Sequence, residues 1–174
     1  MEKARISFVT VLLIALVSLS AIASPPAIDA PSAFAKLKSL AGDWEGRMPD
    51  GSKSQVQYQV VSGGSAVVER FVNDKMGSDN AMVTVYYLDG NRLLLQHYCI
   101  AKNQPRMQAE SFTPSTGELR FTFLDATGLA SPETGHRHSA TLHFIDADHV
   151  KQDWQFFENS KPKFTESMQF TRVR

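Results

Sequence analysis

From Gly42 to Val173 turn signals recur so often that each run between two of them has room for a strand and almost none for a helix. Gly42 to Met48 stops at Pro49-Asp50-Gly51, Gln55 to Val61 at Ser62-Gly63-Gly64, and Ala66 to Val72 at the stretch from Asn73 to Asn80. Met107 to Phe112, Leu119 to Leu124, His138 to Ile145, Val150 to Phe157 and Phe164 to Val173 follow. Pro114 to Gly117, Asp125 to Gly135, Asp146 to Asp148 and Asn159 to Lys163 separate them. With two more runs inside Ala81 to Met107, the pattern predicts about ten strands. Nearly every link is short enough for a hairpin, whereas a sandwich needs longer crossovers. The expected fold is therefore all-β, an up-and-down antiparallel β-barrel.

Alternation within the runs assigns their faces. Leu119, Phe121 and Phe123 oppose Arg120 and Thr122, while Phe164, Glu166, Met168 and Phe170 oppose Thr165, Ser167, Gln169 and Thr171. At the centre lies AMVTVYYLDGNRLLLQHYCIAKNQPRM, Ala81 to Met107. A two-residue turn at Asp89-Gly90 would set Leu88 opposite Asn91, Tyr86 opposite Leu93, Thr84 opposite Leu95 and Met82 opposite His97. This register puts His97 and Cys99 on the inner face, and a slip of one residue would reverse them. The inward set then comprises Met82, Tyr86, Leu95, Met107, Phe121, Phe123, Leu142, Phe144, Trp154, Phe156, Met168 and Phe170.

The N-terminal part is different in kind. Lys3 and Arg5 precede an uncharged run from Ile6 to Leu19, and Ala21-Ile22-Ala23 supplies a small-x-small site, so Met1 to Ala23 reads as a signal peptide. The apolar run is short for a spanning helix, and no stable membrane span is expected after cleavage. The expected location is periplasmic or secreted. The single cysteine, Cys99, has no partner in the chain, so no internal disulfide is available. Ser24 to Pro31 reads as a Pro-rich linker. Ser32 is then the expected N-cap of a short helix with Phe34, Leu37 and Leu40 on one face, stopped by Gly42. That helix should pack over one end of the barrel. The 18 basic residues are matched by 18 acidic ones along the chain, which argues against a nucleic-acid partner.

The segment Leu37-Lys38-Ser39-Leu40-Ala41-Gly42-Asp43-Trp44-Glu45-Gly46, a short helix running into Gly-x-Trp, resembles the opening of calycins. These include lipocalins, fatty-acid-binding proteins and ten-stranded nitrobindin-like barrels. The stretch with His97-Tyr98-Cys99 and Gln104-Pro105-Arg106-Met107 is similar to uncharacterised bacterial lipocalin-like proteins. The resemblance implies a ligand-binding barrel. Nitrobindin-like members bind haem through a histidine near the C-terminus, whereas the last histidine here is His149. Independently of any family, the ring of Trp44 is large enough to plug one barrel end.

Candidate site residues follow from the inward rows. His97 and Cys99 sit two apart and carry zinc- or iron-binding donors, though two ligands do not close a site; a core histidine beside a buried thiol is the alternative. His136 and His138 repeat that spacing where a loop enters a strand, as metal ligands or as a solvated edge. Glu69, between Val67 and Phe71, and Glu166, in its apolar row, would pair with a cation or have a raised pKa suited to a general acid. Arg70, Arg106 and Arg120 are the cations considered for pairing with a ligand carboxylate. No nucleophile elbow, phosphate loop, zinc-protease motif or dinucleotide fingerprint occurs, and the sequence does not decide whether the protein is an enzyme. The leading expectation is a small hydrophobic or amphipathic ligand in the lumen, contacted by His97, Cys99, Glu69, Tyr86, Met107, Trp154 and Glu166. The alternatives are a haem or metal protein using His97 or His136 and His138, and an enzyme with an interior acid or base.

Overall fold

The computed structural model describes residues 28–174; the expected signal peptide and the first half of the linker lie outside them. One helix, α1 (Ala30–Lys38), precedes ten strands: β1 (Gly42–Arg47), β2 (Lys53–Val61), β3 (Ala66–Asn73), β4 (Met82–Asp89), β5 (Arg92–Tyr98), β6 (Gln104–Thr113), β7 (Glu118–Thr127), β8 (His136–Phe144), β9 (His149–Glu158) and β10 (Lys161–Arg172). Each strand pairs antiparallel with its neighbours in sequence, and β1 pairs with β10 to close the barrel. The expected architecture is the observed one.

The helix starts at Ala30, earlier than Ser32. Asp29 is the N-cap, its carboxylate accepting from the Ser32 backbone N–H at 3.1 Å. Pro31 suits the first turn, where its missing N–H has no helical partner to lose. Ala30, Ala33, Phe34, Leu37 and Leu40 are buried, so α1 lies with its apolar side on the barrel. It covers the end formed by the links 62–65, 90–91, 114–117 and 145–148. Trp44 plugs that end, 1% exposed, with its indole N–H donating to the Leu40 carbonyl at 2.8 Å. Arg172 lies 4.2 Å over the indole and donates to the carbonyls of Ser39 and Ala41. The links 48–52, 74–81, 99–103, 128–135 and 159–160 form the opposite end, which α1 does not cover.

The central hairpin departs from expectation. Its loop is Gly90-Asn91, Asp89 pairs with Arg92, and Tyr86 therefore faces Leu95 while Thr84 faces His97. Gly90 takes the positive φ of 58° at the first loop position, and Asp89 stays on the strand, ion-paired to Arg92. The partner of every residue has moved by two places. Because side chains alternate with a period of two, His97 keeps its inward face. Met82 instead pairs with Phe71 of β3.

Candidate functional site

From the middle of the barrel toward the uncapped end the interior is polar. Glu69 on β3 is 3% exposed and accepts from the Tyr86 hydroxyl at 2.7 Å and the Gln152 amide at 3.2 Å. The same amide reaches the Tyr58 hydroxyl, and Trp154 Nε1 donates to Gln152 Oε1 at 2.9 Å. Burial pushes the Glu69 carboxyl up from its ordinary value, against the pull of those hydrogen bonds. Both bonds end on Oε2, which ties Glu69 into the wall of the interior, and its side chain also borders the cavity described below.

His97 on β5 is 4% exposed. Its Nδ1 is 2.9 Å from Thr84 Oγ1, and its ring lies 4.8 Å from that of Trp154. Burial, and then the charge of Arg137, push its pKa down from 6.5 to about 3. The ring is therefore neutral at physiological pH. Its Nε2 is fully buried and has no hydrogen-bond partner among the described residues. Whichever tautomer Thr84 selects, one polar atom of His97 is left unmet, and leaving such an atom buried costs on the order of 1–3 kcal/mol.

Arg137 completes the group. It is 8% exposed, ion-paired with Glu166 of β10, and donates to the Trp154 carbonyl at 3.3 Å. Its guanidinium lies 5.8 Å from the Phe156 ring and 5.7 Å from Phe164, themselves stacked 5.1 Å apart. A β-bulge puts it there. The β8–β9 register shifts between Arg137 and Ser139, so Arg137 joins the inward row of Ala140 and Leu142.

His97, Glu69, Trp154 and Glu166 thus line one cavity, together with Arg137 and Gln152. Other expected contacts do not reach it. Cys99 lies in the turn after β5, where its N–H bonds to the Asn103 carbonyl at 3.1 Å, so the strand has ended before the thiol could join His97. Tyr86 and Met107 are fully buried in the packed core, with Tyr86 contributing only through Glu69. Arg70, Arg106 and Arg120 are on the outside, bonded to the Ser78 carbonyl, Asp125 and Glu110 respectively. The cavity is narrow: about 10 Å³, at the threshold for one water molecule. Met82, Met168 and Phe71 close it. A porphyrin does not fit beside His97 as the side chains stand. Among the described residues no group of three or more His, Cys, Asp or Glu side chains could hold a metal ion.

Of the residues absent from the sequence reading, Gln152 was visible in principle, since it alternates with Val150 and Trp154. Arg137 was not, because simple alternation from Ala140 and Leu142 turns it outward and only the bulge brings it in.

A second recess lies outside the lumen. Beyond Thr122↔Ser139, the last recorded pair of β7 and β8, Phe123, His136, His138 and Phe157 form a stack beside the 128–135 loop. Phe123, paired with the inward Met107 of β6, also lines this groove, as does Phe157. Phe156 sits with Arg137 at the uncapped rim.

No protein-family model matches the chain, and no protein of described function matches its sequence. Its barrel is similar in shape to three solved structures. One is a protein of unknown function of the DUF3598 family from Nostoc punctiforme (12% identity, TM-score 0.49, 79% of this chain and 48% of that one). Another is the S-type phycobiliprotein lyase of Guillardia theta (10% identity, TM-score 0.38, 79% and 90%). The third is a designed fluorescence-activating β-barrel (17% identity, TM-score 0.32, 84% and 99%). The chain spans about half the length of the first.

Proposed function

We propose that the protein is an exported barrel that binds a neutral amphipathic small molecule at the uncapped end, its polar group seated against His97. The carrying observation is the buried, unpartnered Nε2 of His97, a residue that lines a cavity. A ligand hydroxyl can donate or accept, so it satisfies that nitrogen in either tautomer. The charge balance of the cavity selects against ions. Arg137 already holds Glu166, so a carboxylate ligand would enter as an unpaired buried charge. Ligand entry displaces Met82 and Met168, unbranched side chains that repack readily.

Calorimetry with 1-decanol and with decanoate tests this reading. Wild-type protein should bind the alcohol in preference to the acid, Met168→Ala should bind it more tightly, and His97→Phe should lose the preference. Failure of both wild type and Met168→Ala to bind either probe would overturn it. Export is tested separately. Expressed with its leader, the protein should be recovered outside the cytoplasm beginning at Ser24, and an intact Met1 terminus would refute cleavage.

A further inference from the structure

The groove beside β7, β8 and β9 has its own chemistry. It is an open groove of about 750 Å³, and Leu124, Ala126, Leu129 and Pro132 make much of its lining apolar. Its wall is tied down. Asn103 Nδ2 donates to the Gly135 carbonyl at 2.8 Å, and the Asn159 N–H to the Glu133 carbonyl at 2.9 Å. Gly135 is packed so closely on Phe156 that a Cβ there would sit 2.7 Å from the ring.

The two histidines fix each other's protons. His136 Nδ1 is 2.7 Å from the Thr134 carbonyl, which can only accept, so Nδ1 carries hydrogen. In the neutral ring His136 Nε2 is then bare and must accept from His138 Nδ1, 3.1 Å away. His138 Nε2 is consequently bare as well. It has no partner among the described residues and is not among the fully buried unpartnered atoms, so it is open to the groove that His138 lines. The ring itself cannot turn away. It is stacked 3.8 Å from Phe157 at 13° and 4.8 Å from Phe123 at 15°.

We infer that this groove is a second binding site, for an aromatic molecule carrying a phenol-type O–H that donates to His138 Nε2. Apolar walls supply affinity and the one fixed acceptor supplies selectivity. The site is independent of the lumen reading, because none of its lining residues belongs to the His97 cavity.

Titration with 2-naphthol and its methyl ether, 2-methoxynaphthalene, tests the inference. One net hydrogen bond predicts about a three- to tenfold preference for the naphthol in wild-type protein. His138→Phe keeps an aromatic ring between Phe123 and Phe157 and removes the acceptor, so it should bind both probes equally. Met168→Ala and added 1-decanol should leave naphthol binding unchanged. On unmodified protein, ¹⁵N NMR should place His138 Nε2 among unprotonated imidazole nitrogens, and naphthol should move that resonance. Equal affinities in wild type, a preference that survives His138→Phe, no binding at all, or shifts confined to His97 would each overturn the site.

Discussion

The two ends of the barrel handle polar groups in opposite ways. At the helix-capped end each one named here is met: the Trp44 N–H by the Leu40 carbonyl, the Arg172 guanidinium by backbone carbonyls. From mid-barrel to the uncapped end an arginine, a histidine and two carboxyls crowd toward the interior, and one imidazole nitrogen has no partner among the described residues. The first arrangement maximises stability. The second retains groups that a packed apolar core would do without, and the proposed binding of a small molecule rests on them.

The largest effect that would separate the ends is Trp44→Ala. It should destabilise by about 3–5 kcal/mol, because the plug leaves a hole that α1 cannot refill. Denaturant melts should show this loss while 1-decanol affinity, referred to the folded fraction, stays unchanged. A fall in affinity there would mean that the ends are coupled.

Acid should reveal the other end. His97 is neutral when folded and has a folded pKa of about 3 against 6.5 when free. The unfolded chain therefore binds more protons below the free value, and stability falls as pH drops from 6.5 toward 3. Between about pH 6.5 and 4.5 this contributes a loss on the order of 2–3 kcal/mol. Glu69 acts with the opposite sign. Its raised folded pKa favours the folded state as pH falls toward 4.5, so the two slopes partly cancel. Removing the acid by Glu69→Gln should steepen the acid loss, and His97→Gln should flatten it. Chemical denaturation at a series of pH values measures both.

Much of this was legible in the chain. The strand runs, the capping helix and the inward facing of His97, Glu69 and Glu166 follow from turn residues and period-two alternation. The hairpin turn lies one residue later than expected, which shifts each cross-strand partner by two and so preserves faces. Odd displacements are the difficulty. The bulge in β8 changes the inward residue to Arg137, and nothing in Gly135-His136-Arg137-His138-Ser139 announces it. Cys99 was assigned inward by extending β5 beyond Tyr98, where the backbone has already turned toward Asn103. Phe123 keeps its expected parity opposite Met107, but β7 and β8 part beyond Thr122 and its ring joins the histidine stack.

Ion pairs give a further contrast, now between inside and outside. Glu166→Ala leaves Arg137 nearly buried without its carboxylate and should cost about 2 kcal/mol. That is less than for a fully enclosed pair, because the Glu166 side chain is 23% exposed and water can enter behind it. Arg137→Met should cost less than Glu166→Ala, since the orphaned carboxylate can turn to solvent while the orphaned guanidinium cannot.

The smallest effect belongs to the outer wall. Arg106 and Asp125 face each other on β6 and β7, a bidentate pair with side chains 41% and 56% exposed. Both partners are already hydrated before they meet, so their attraction replaces water contacts of similar strength and is screened by salt. A double-mutant cycle on Arg106→Ala and Asp125→Ala should give a coupling close to zero that fades further in high salt. The same cycle on Arg137 and Glu166 should give a larger coupling that persists, because the surrounding ions cannot reach a guanidinium held beneath Phe156 and Phe164. Equal couplings at the two sites would show that water reaches Arg137 as freely as Arg106, and the proposed exclusion of charged ligands from the lumen would lose its physical basis.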